Sequence, residues 1–209
     1  MSTVISREAM SENTVMLQGF DNPSFDCQAT FRAAMLALAR PGRPAALTAL
    51  PAAVPAPLSV EAAALVLALC DYETPIWLDP ALAAVPAVAA YLRFHTGASI
   101  VTEPGEARFA LISNPLELRA FSDFAQGSPE FPDASATLIL QVESFAQDGL
   151  TLEGPGIDGR TGFDAAPLPA DFVDRMAANR ASFPLGVDLL LAGVGQVAGL
   201  PRSVIVKGA

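Results

Sequence analysis

Apolar positions recur along this chain first at helical spacing and then in short β-rich runs. Asn22-Pro23 places a capping asparagine before a proline at the first helical position. Cys27, Phe31, Met35 and Leu38 follow at steps of four, four and three, which predicts a helix with that stripe facing inward, stopped at Arg40-Pro41-Gly42. A proline-rich segment to Pro57 reads as an extended strap. Ser59 caps a second helix with Glu61 in its first turn, and Ala62 through Cys70 is apolar all round, so that helix is expected to be buried on several sides.

Ile76-Trp77-Leu78 predicts a short strand closed by Asp79-Pro80, and a helix centred on Val88 to His95 ends at Gly97, a left-handed C-cap. Strands are expected over residues 99–102, 108–113 and 136–142, with a helix from Asn114-Pro115 to Gly127 carrying Leu118 and Phe121 between the last two. Asp148-Gly149 reads as a hairpin turn into Leu150-Thr151-Leu152. A helix over residues 169–183 carries Phe172, Met176 and Phe183 inward, and short strands over 187–191, 196–199 and 204–206 close the chain. Interleaved helices and strands with late hairpin signals argue for an α/β fold, a mixed β-sheet covered by helices on both faces. Residues 1–18 form a poorly specified lead, and residues 19–209 read as a single domain.

Composition narrows the function classes. Apolar residues make up 52% of the 209 positions and charged residues 16%, so the chain has either a very full interior or apolar surface reserved for a partner. The net charge of −10 argues against nucleic-acid binding, which needs a basic stripe. The longest uncharged stretch carries four prolines and predicts no membrane helix, and the N-terminus has no signal-peptide core; a cytoplasmic protein is expected. Cys27 and Cys70 read as buried free thiols.

Candidate chemistry is thin because the chain holds one histidine, His95, and one lysine, Lys207. His95, with Arg93 close in sequence, reads either as a general base or phosphate contact, or as a cation complementing the helix dipole in the last turn. One histidine and two distant cysteines do not make a metal-ligand set. Arg40 and Arg43 flank a turn and suit an anion or an interface ion pair, while Asp71, Glu73 and Asp79 cluster around the Trp77 strand and read, rather than as paired carboxylates, as caps, turn-formers or arginine partners. Asn179 and Arg180 open the densest polar run and need partners if buried, so the fold is expected to be pinned there. The glycines of residues 154–162 lack both a P-loop lysine and a following helix, and read as a flexible loop.

Several runs in order carry a family resemblance. Gly19-Phe20-Asp21-Asn22-Pro23, Ala39-Arg40-Pro41-Gly42, Asp71-Tyr72-Glu73-Thr74-Pro75-Ile76-Trp77-Leu78-Asp79, Tyr91-Leu92-Arg93-Phe94-His95-Thr96-Gly97, and residues 127–137 and 179–189 resemble the PhnH family, the H subunit of the bacterial carbon–phosphorus lyase system. The pattern departs at Phe131, where tyrosine is expected, and at Ala134, where arginine is expected. The resemblance implies a core similar to pyridoxal-phosphate-dependent transferases but without the cofactor. It further implies a homodimer that joins the G, I and J subunits in a core complex. With MgATP that system displaces adenine to form ribose 1-alkylphosphonate 5-triphosphate. It implies an accessory or assembly role for this subunit; the alternative is a ligand-binding enzyme subunit in which Arg93 and His95 act directly on ribose transfer. The position of Lys207, two residues from the last, agrees with a scaffold lacking a Schiff-base lysine.

Overall fold

The computed structural model describes residues 17–208, so the lead expected over residues 1–18 lies outside the described residues except for Leu17 and Gln18. Five helices and ten strands follow in the order α1 (Pro23–Ala39), β1 (Ala45–Ala46), α2 (Val60–Leu69), β2 (Ile76–Leu78), α3 (Pro80–Ala83), α4 (Pro86–Thr96), β3 (Ile100–Val101), β4 (Phe109–Ile112), β5 (Thr137–Gln141), β6 (Ser144–Glu153), β7 (Thr161–Ala166), α5 (Phe172–Ala181), β8 (Asp188–Gly193), β9 (Gln196–Leu200) and β10 (Ile205–Gly208). Seven strands form one mixed sheet in the order β1-β9-β8-β5-β4-β2-β3, and β10-β6-β7 form a second, antiparallel sheet. The strands from β8 through β5, β4 and β2 to β3 run parallel, while β9 is antiparallel to both of its neighbours, β8 and β1.

Period-two alternation divides each central strand between two cores. Ile76, Leu78, Leu111, Ile139, Leu190 and Val197 face α1, α2 and α4. Trp77, Ala110, Ile112, Leu138, Leu140, Leu189 and Leu191 face the other way, against Phe121, Phe124, Phe172, Met176 and the small sheet's Leu152 and Phe163. Strands buried on both faces read as unbroken apolar runs, which accounts for much of the apolar excess. The expected helical cover on both faces is therefore only partly met, since α5 shares the second face with a three-stranded sheet.

Most elements form where their caps and spacing place them. Ser59 Oγ accepts from Ala62 N at 3.1 Å to start α2, and Gly97, at φ 74°, ends α4 in the left-handed region.

Four expectations are corrected. The stripe on α1 does not face inward as a whole, because Phe31 and Met35 are exposed while Thr30, Ala33, Ala34 and Ala37 are buried. The helix lies so close to β9 that a Cβ on Gly199 would meet Ala37 C and Leu38 N at 2.6 Å, leaving room inside only for small residues. Residues 115–127 hold only the one-turn 3₁₀ segments Pro115–Glu117 and Phe121–Asp123 rather than a helix, although Asn114 Oδ1 accepts from Leu116 N as a cap should. Asp148-Gly149 marks no hairpin turn; β6 runs through it with a register shift between Ala146 and Leu150, and Gly149 sits at φ 118°. The hairpin connection is the glycine-rich loop after Glu153, which leads into β7, a strand that the sequence reading did not assign. Finally, Phe183 is exposed rather than inward.

Candidate functional site

His95 lies in the last turn of α4 with its ring 4.5 Å from that of Tyr91 and 5.0 Å, edge-on, from that of Phe94. Its Nε2 is 2.9 Å from Leu17 O. A carbonyl only accepts, so this nitrogen carries the proton and donates it. A Cβ on Gly19 would stand 3.0 Å from Nδ1, so the chain entering α1 passes directly over the ring. His95 borders a hollow of about 360 Å³ lined otherwise by Leu17, Phe20, Cys27, Leu67 and Phe94. The arrangement is a clamp between α4 and the start of the domain, and Nε2 has no lone pair left for base catalysis. Arg93 is exposed on the same turn and does not line this hollow.

Asp71 and Glu73 belong to the turn between α2 and β2. Asp71 Oδ1 accepts from Thr74 Oγ1 at 2.6 Å and from Glu73 N at 2.9 Å. The Thr74 hydroxyl first, and then the Glu73 amide, hold the Asp71 carboxyl below its ordinary range. Tyr72 in this turn packs beside Gly97, whose Cβ would lie 3.4 Å from Tyr72 Cβ. The turn and the end of α4 are thus neighbours, the one place where two sets of sequence candidates meet. Among the described residues, no ion pair joins Arg93 to either carboxylate.

Arg40 and Arg43 are exposed on the turn after α1, whose Pro41 and Gly42 are buried. The glycine-rich loop lies on this turn. A Cβ on Gly42 would meet Thr161 Cγ2 at 2.6 Å, and one on Gly156 would overlap Ala39 O. These glycines serve close backbone approach, not phosphate binding. The four residues His95, Arg93, Arg40 and Arg43 therefore do not line one cleft.

Asn179 is buried at the end of α5, where Nδ2 donates to Val187 O at 2.8 Å and Oδ1 accepts from Val187 N at 2.9 Å. Its amide pairs with one residue as a neighbouring strand would, and ties α5 to the start of β8. Gly186 is needed beside it, at φ 119°, because a Cβ there would reach within 2.5 Å of Asn179 Oδ1. Arg180 lies over the Phe183 ring at 5.1 Å.

Of two polar hubs, the one at Arg202 escaped the sequence reading, while Asp79 was read as a cap or turn-former and does cap α3. Arg202 Nη2 donates to Asp188 Oδ2 at 2.6 Å and also to Ser135 Oγ, and Nη1 donates to Pro132 O at 2.9 Å. The partners come from two segments, around residues 132–135 and at Asp188, neither at a recognisable spacing from Arg202, so no motif announces them. Asp79 is buried where β2 ends, and its carboxylate accepts from Leu82 N at 2.9 Å, Ser113 N at 2.6 Å, Ser113 Oγ at 2.7 Å and Asn114 N at 3.4 Å. Open α/β sheets commonly bind ligands beyond the C-terminal ends of their parallel strands. Here this carboxylate is already saturated by the fold.

The positions that depart from the resembled pattern, Phe131 and Ala134, both line an open depression of about 560 Å³ with Arg108, Gln126, Ser128 and Asp133. Lys207 is exposed on β10 with Nζ 3.0 Å from both oxygens of Glu153. Among the described residues, no three His, Cys, Asp or Glu side chains could hold one metal ion. Cys70 is buried as expected, and burial pushes its thiol far up, whereas Cys27 is only half-buried, its Sγ donating to Leu67 O at 3.4 Å. No described helix is long and apolar enough to cross a membrane.

Comparison with known proteins supplies what the geometry does not. A family model described as bacterial phosphonate metabolism protein (PhnH) matches residues 18–207. The chain is 40% identical over 195 residues to alpha-D-ribose 1-methylphosphonate 5-triphosphate synthase subunit PhnH of Rhizobium meliloti (strain 1021), covering 92% of this chain and 96% of that protein. It is also 36% identical over 86 residues to a putative C-P lyase subunit protein, HtxG, of Stutzerimonas stutzeri, covering 40% of this chain and 44% of that protein.

Proposed function

The chain belongs to the PhnH family of bacterial phosphonate metabolism proteins, and from that membership we propose that it is a subunit of the carbon–phosphorus lyase system's ribose 1-methylphosphonate 5-triphosphate synthase. The observation that carries this is the near end-to-end similarity to the Rhizobium meliloti subunit. In the reaction, a phosphonate oxygen forms a bond to the ribose C1′ of MgATP and the C1′–N9 bond breaks. The phosphonate loses its proton and adenine leaves carrying one, so the triphosphate is retained in the product.

In this reading the subunit acts through its surfaces, as a cytoplasmic homodimer docked on the G, I and J subunits. The scatter of the candidate residues supports it. His95 Nε2 is engaged with Leu17 O, and Asn179 with Val187. The alternative in which Arg93 and His95 act on ribose transfer has no shared cleft to work in. The likeness to a pyridoxal-phosphate-dependent transferase core belongs to the same reading, with support from the mixed sheet between layers. A Schiff base needs a buried lysine, and the chain's one lysine is exposed and held by Glu153. The residues present do not fit that cofactor.

The test is copurification and reconstitution. Tagged protein from phosphonate-grown cells is expected to carry the other core subunits, and adenine release from MgATP and a phosphonate is expected to depend on its presence. Recovery of none of the partners, or undiminished adenine release without this chain, overturns the reading.

A further inference from the structure

Positive charge gathers at one corner of this acidic protein. Arg40 and Arg43 stand on the turn after α1, Arg160 on the glycine-rich loop and Lys207 on β10, and all four are exposed. Close packing brings the turn and the loop together. Arg43 N donates to Arg40 O at 3.2 Å, a Cβ on Gly42 would meet Thr161 Cγ2 at 2.6 Å, and one on Gly156 would lie 3.1 Å from Pro41 Cδ. Glu153 links Arg160, at 3.6 Å, with Lys207, at 3.0 Å. Glu153 and Asp158 are the carboxylates that these segments carry, so the four cations leave the corner positive on a chain of net charge −10. Among the described residues, Arg40 and Arg43 are in no ion pair. Such a corner is where an anion meets the least repulsion from the rest of the chain.

Beside the corner lies a hollow of about 270 Å³, lined by Pro44, Phe145, Ala146, Gln147 and Gln196. Pro44 follows Arg43 directly, and a Cβ on Gly162, two residues after Arg160, would overlap Gln147 O. Gln196 arrives through the pairing of β9 with β1, opposite Ala46. The half-buried Phe145, its ring 6.2 Å from that of Phe163, supplies an aromatic wall. Among the described residues, the glutamine side chains that hydrogen-bond are Gln18, Gln126 and Gln141, so the amides of Gln147 and Gln196 are uncommitted. Two carboxylates at this end are turned to backbone amides, Asp164 to Ala165 N and Glu61 to Gly195 N, each at 2.9 Å.

We propose that corner and hollow together bind an adenine nucleoside triphosphate, with the base in the hollow and the phosphates on Arg40, Arg43 and Arg160. A primary amide offers a donor and an acceptor side by side, the pair that reads adenine at N6 and N7. An aromatic wall gives the planar base a face to lie against. Guanidinium groups grip phosphate oxygens through paired N–H donors. The glycines take no phosphate themselves; they let the turn and the loop approach until three arginines can share one ligand. The site is argued from this chain alone, and only its identification with the nucleotide consumed alongside the phosphonate rests on the functional reading above.

Isothermal titration calorimetry of the full chain with MgATP tests it. Binding is expected with a Kd below about 1 mM. Inorganic tripolyphosphate, which has no base to stack, should bind at least about fivefold more weakly, and MgGTP, which presents acceptors at both N7 and O6, about tenfold more weakly. Arg43→Glu is expected to raise the Kd for MgATP about tenfold or more. Arg160→Glu serves if circular dichroism and melting show that Arg43→Glu does not fold. Arg108→Glu makes the same charge change before β4, three strands from β9 across the sheet, and should leave the Kd within about twofold. Gln147→Leu should narrow the gap between MgATP and MgGTP. No binding below about 1 mM, equal affinity for tripolyphosphate, or an Arg108→Glu effect as large as that of Arg43→Glu overturns the site. A chain that binds MgATP but recovers no partner subunits overturns the functional reading alone. One that copurifies and supports adenine release yet binds no nucleotide overturns this proposal alone.

Discussion

Replacing Asn179 by alanine gives a sharp measure of how the second face is held. The amide satisfies both backbone groups of Val187, and Asn179 and Val187 are 4% and 0% exposed, so water does not readily replace it. Each buried polar group left unsatisfied costs about 1–3 kcal/mol, so the pair amounts to roughly 2–5 kcal/mol. In a chain of this size each kcal/mol lowers Tm by about 2–4 °C, which predicts a fall of roughly 5–15 °C. Differential scanning calorimetry of wild type and Asn179→Ala, with exposed Ala178→Ser as control, reads it directly. Asn179→Asp adds a pH signature. Its carboxylate would keep the bond from Val187 N but oppose Val187 O, so burial and repulsion raise its folded pKa above the unfolded value of about 3.9. The penalty is absent below the unfolded value and grows as pH rises through the folded one, so the aspartate variant is expected to regain stability relative to wild type on acidification. A melting point for Asn179→Ala within about 2 °C of wild type would refute the bridging argument, because a dispensable amide cannot carry that energy.

Gly186→Ala is expected to destabilise as well, because it combines φ 119° with a Cβ within 2.5 Å of Asn179 Oδ1; the two substitutions together should cost less than their sum, and additive urea-midpoint shifts would show that they do not interact. Asp79→Ala orphans the amides of Leu82, Ser113 and Asn114 and should cost about 3–5 kcal/mol in urea denaturation, with Asp79→Asn milder; equal costs would contradict the acceptor role. His95→Gln keeps a side-chain N–H for Leu17 O whereas His95→Ala does not, so hydrogen exchange over residues 17–20 should quicken by about tenfold in the alanine variant alone. Asp71, held below its ordinary range by Thr74 and then Glu73, contributes stability present above the unfolded value of about 3.9 and lost as pH falls through its folded value. Asp71→Asn should flatten that acid limb in a pH series of chemical melts, and identical limbs would remove the argument.

The element boundaries were legible because caps, prolines and glycines act within a few residues. Ser59, Gly97 and Asn114 each make or end the local structure that their chemistry favours. The need of Asn179 for a partner was equally visible, since a polar residue next to an apolar run must be satisfied if buried. Its partner Val187, eight positions on, was not visible. The Arg202–Asp188–Ser135 hub was hidden for the same reason, and so were the bonds of the capping residue Asp79 to Ser113 and Asn114, since each gathers groups from segments far apart in sequence. Asp148-Gly149 misled because the same dipeptide chemistry that closes a hairpin also permits a bulge inside a longer strand.

By itself the sequence determined the α/β order of elements, the separation of the sheet into two apolar faces, and the motif series that marks the PhnH family. Local propensity and periodicity are properties of neighbouring residues, and the chain states them without reference to its fold. Only the tertiary structure decided how those faces are used. The apolar stripe of α1 is present in the sequence, but the approach of Gly199 to Ala37 turns the alanines inward and puts Phe31 and Met35 outside. Likewise, the lone histidine gained its hydrogen-bond partner only when Leu17 O arrived at Nε2. Both outcomes depend on backbone segments that meet only after folding, and spacing along one helix carries no information about what will be packed against it.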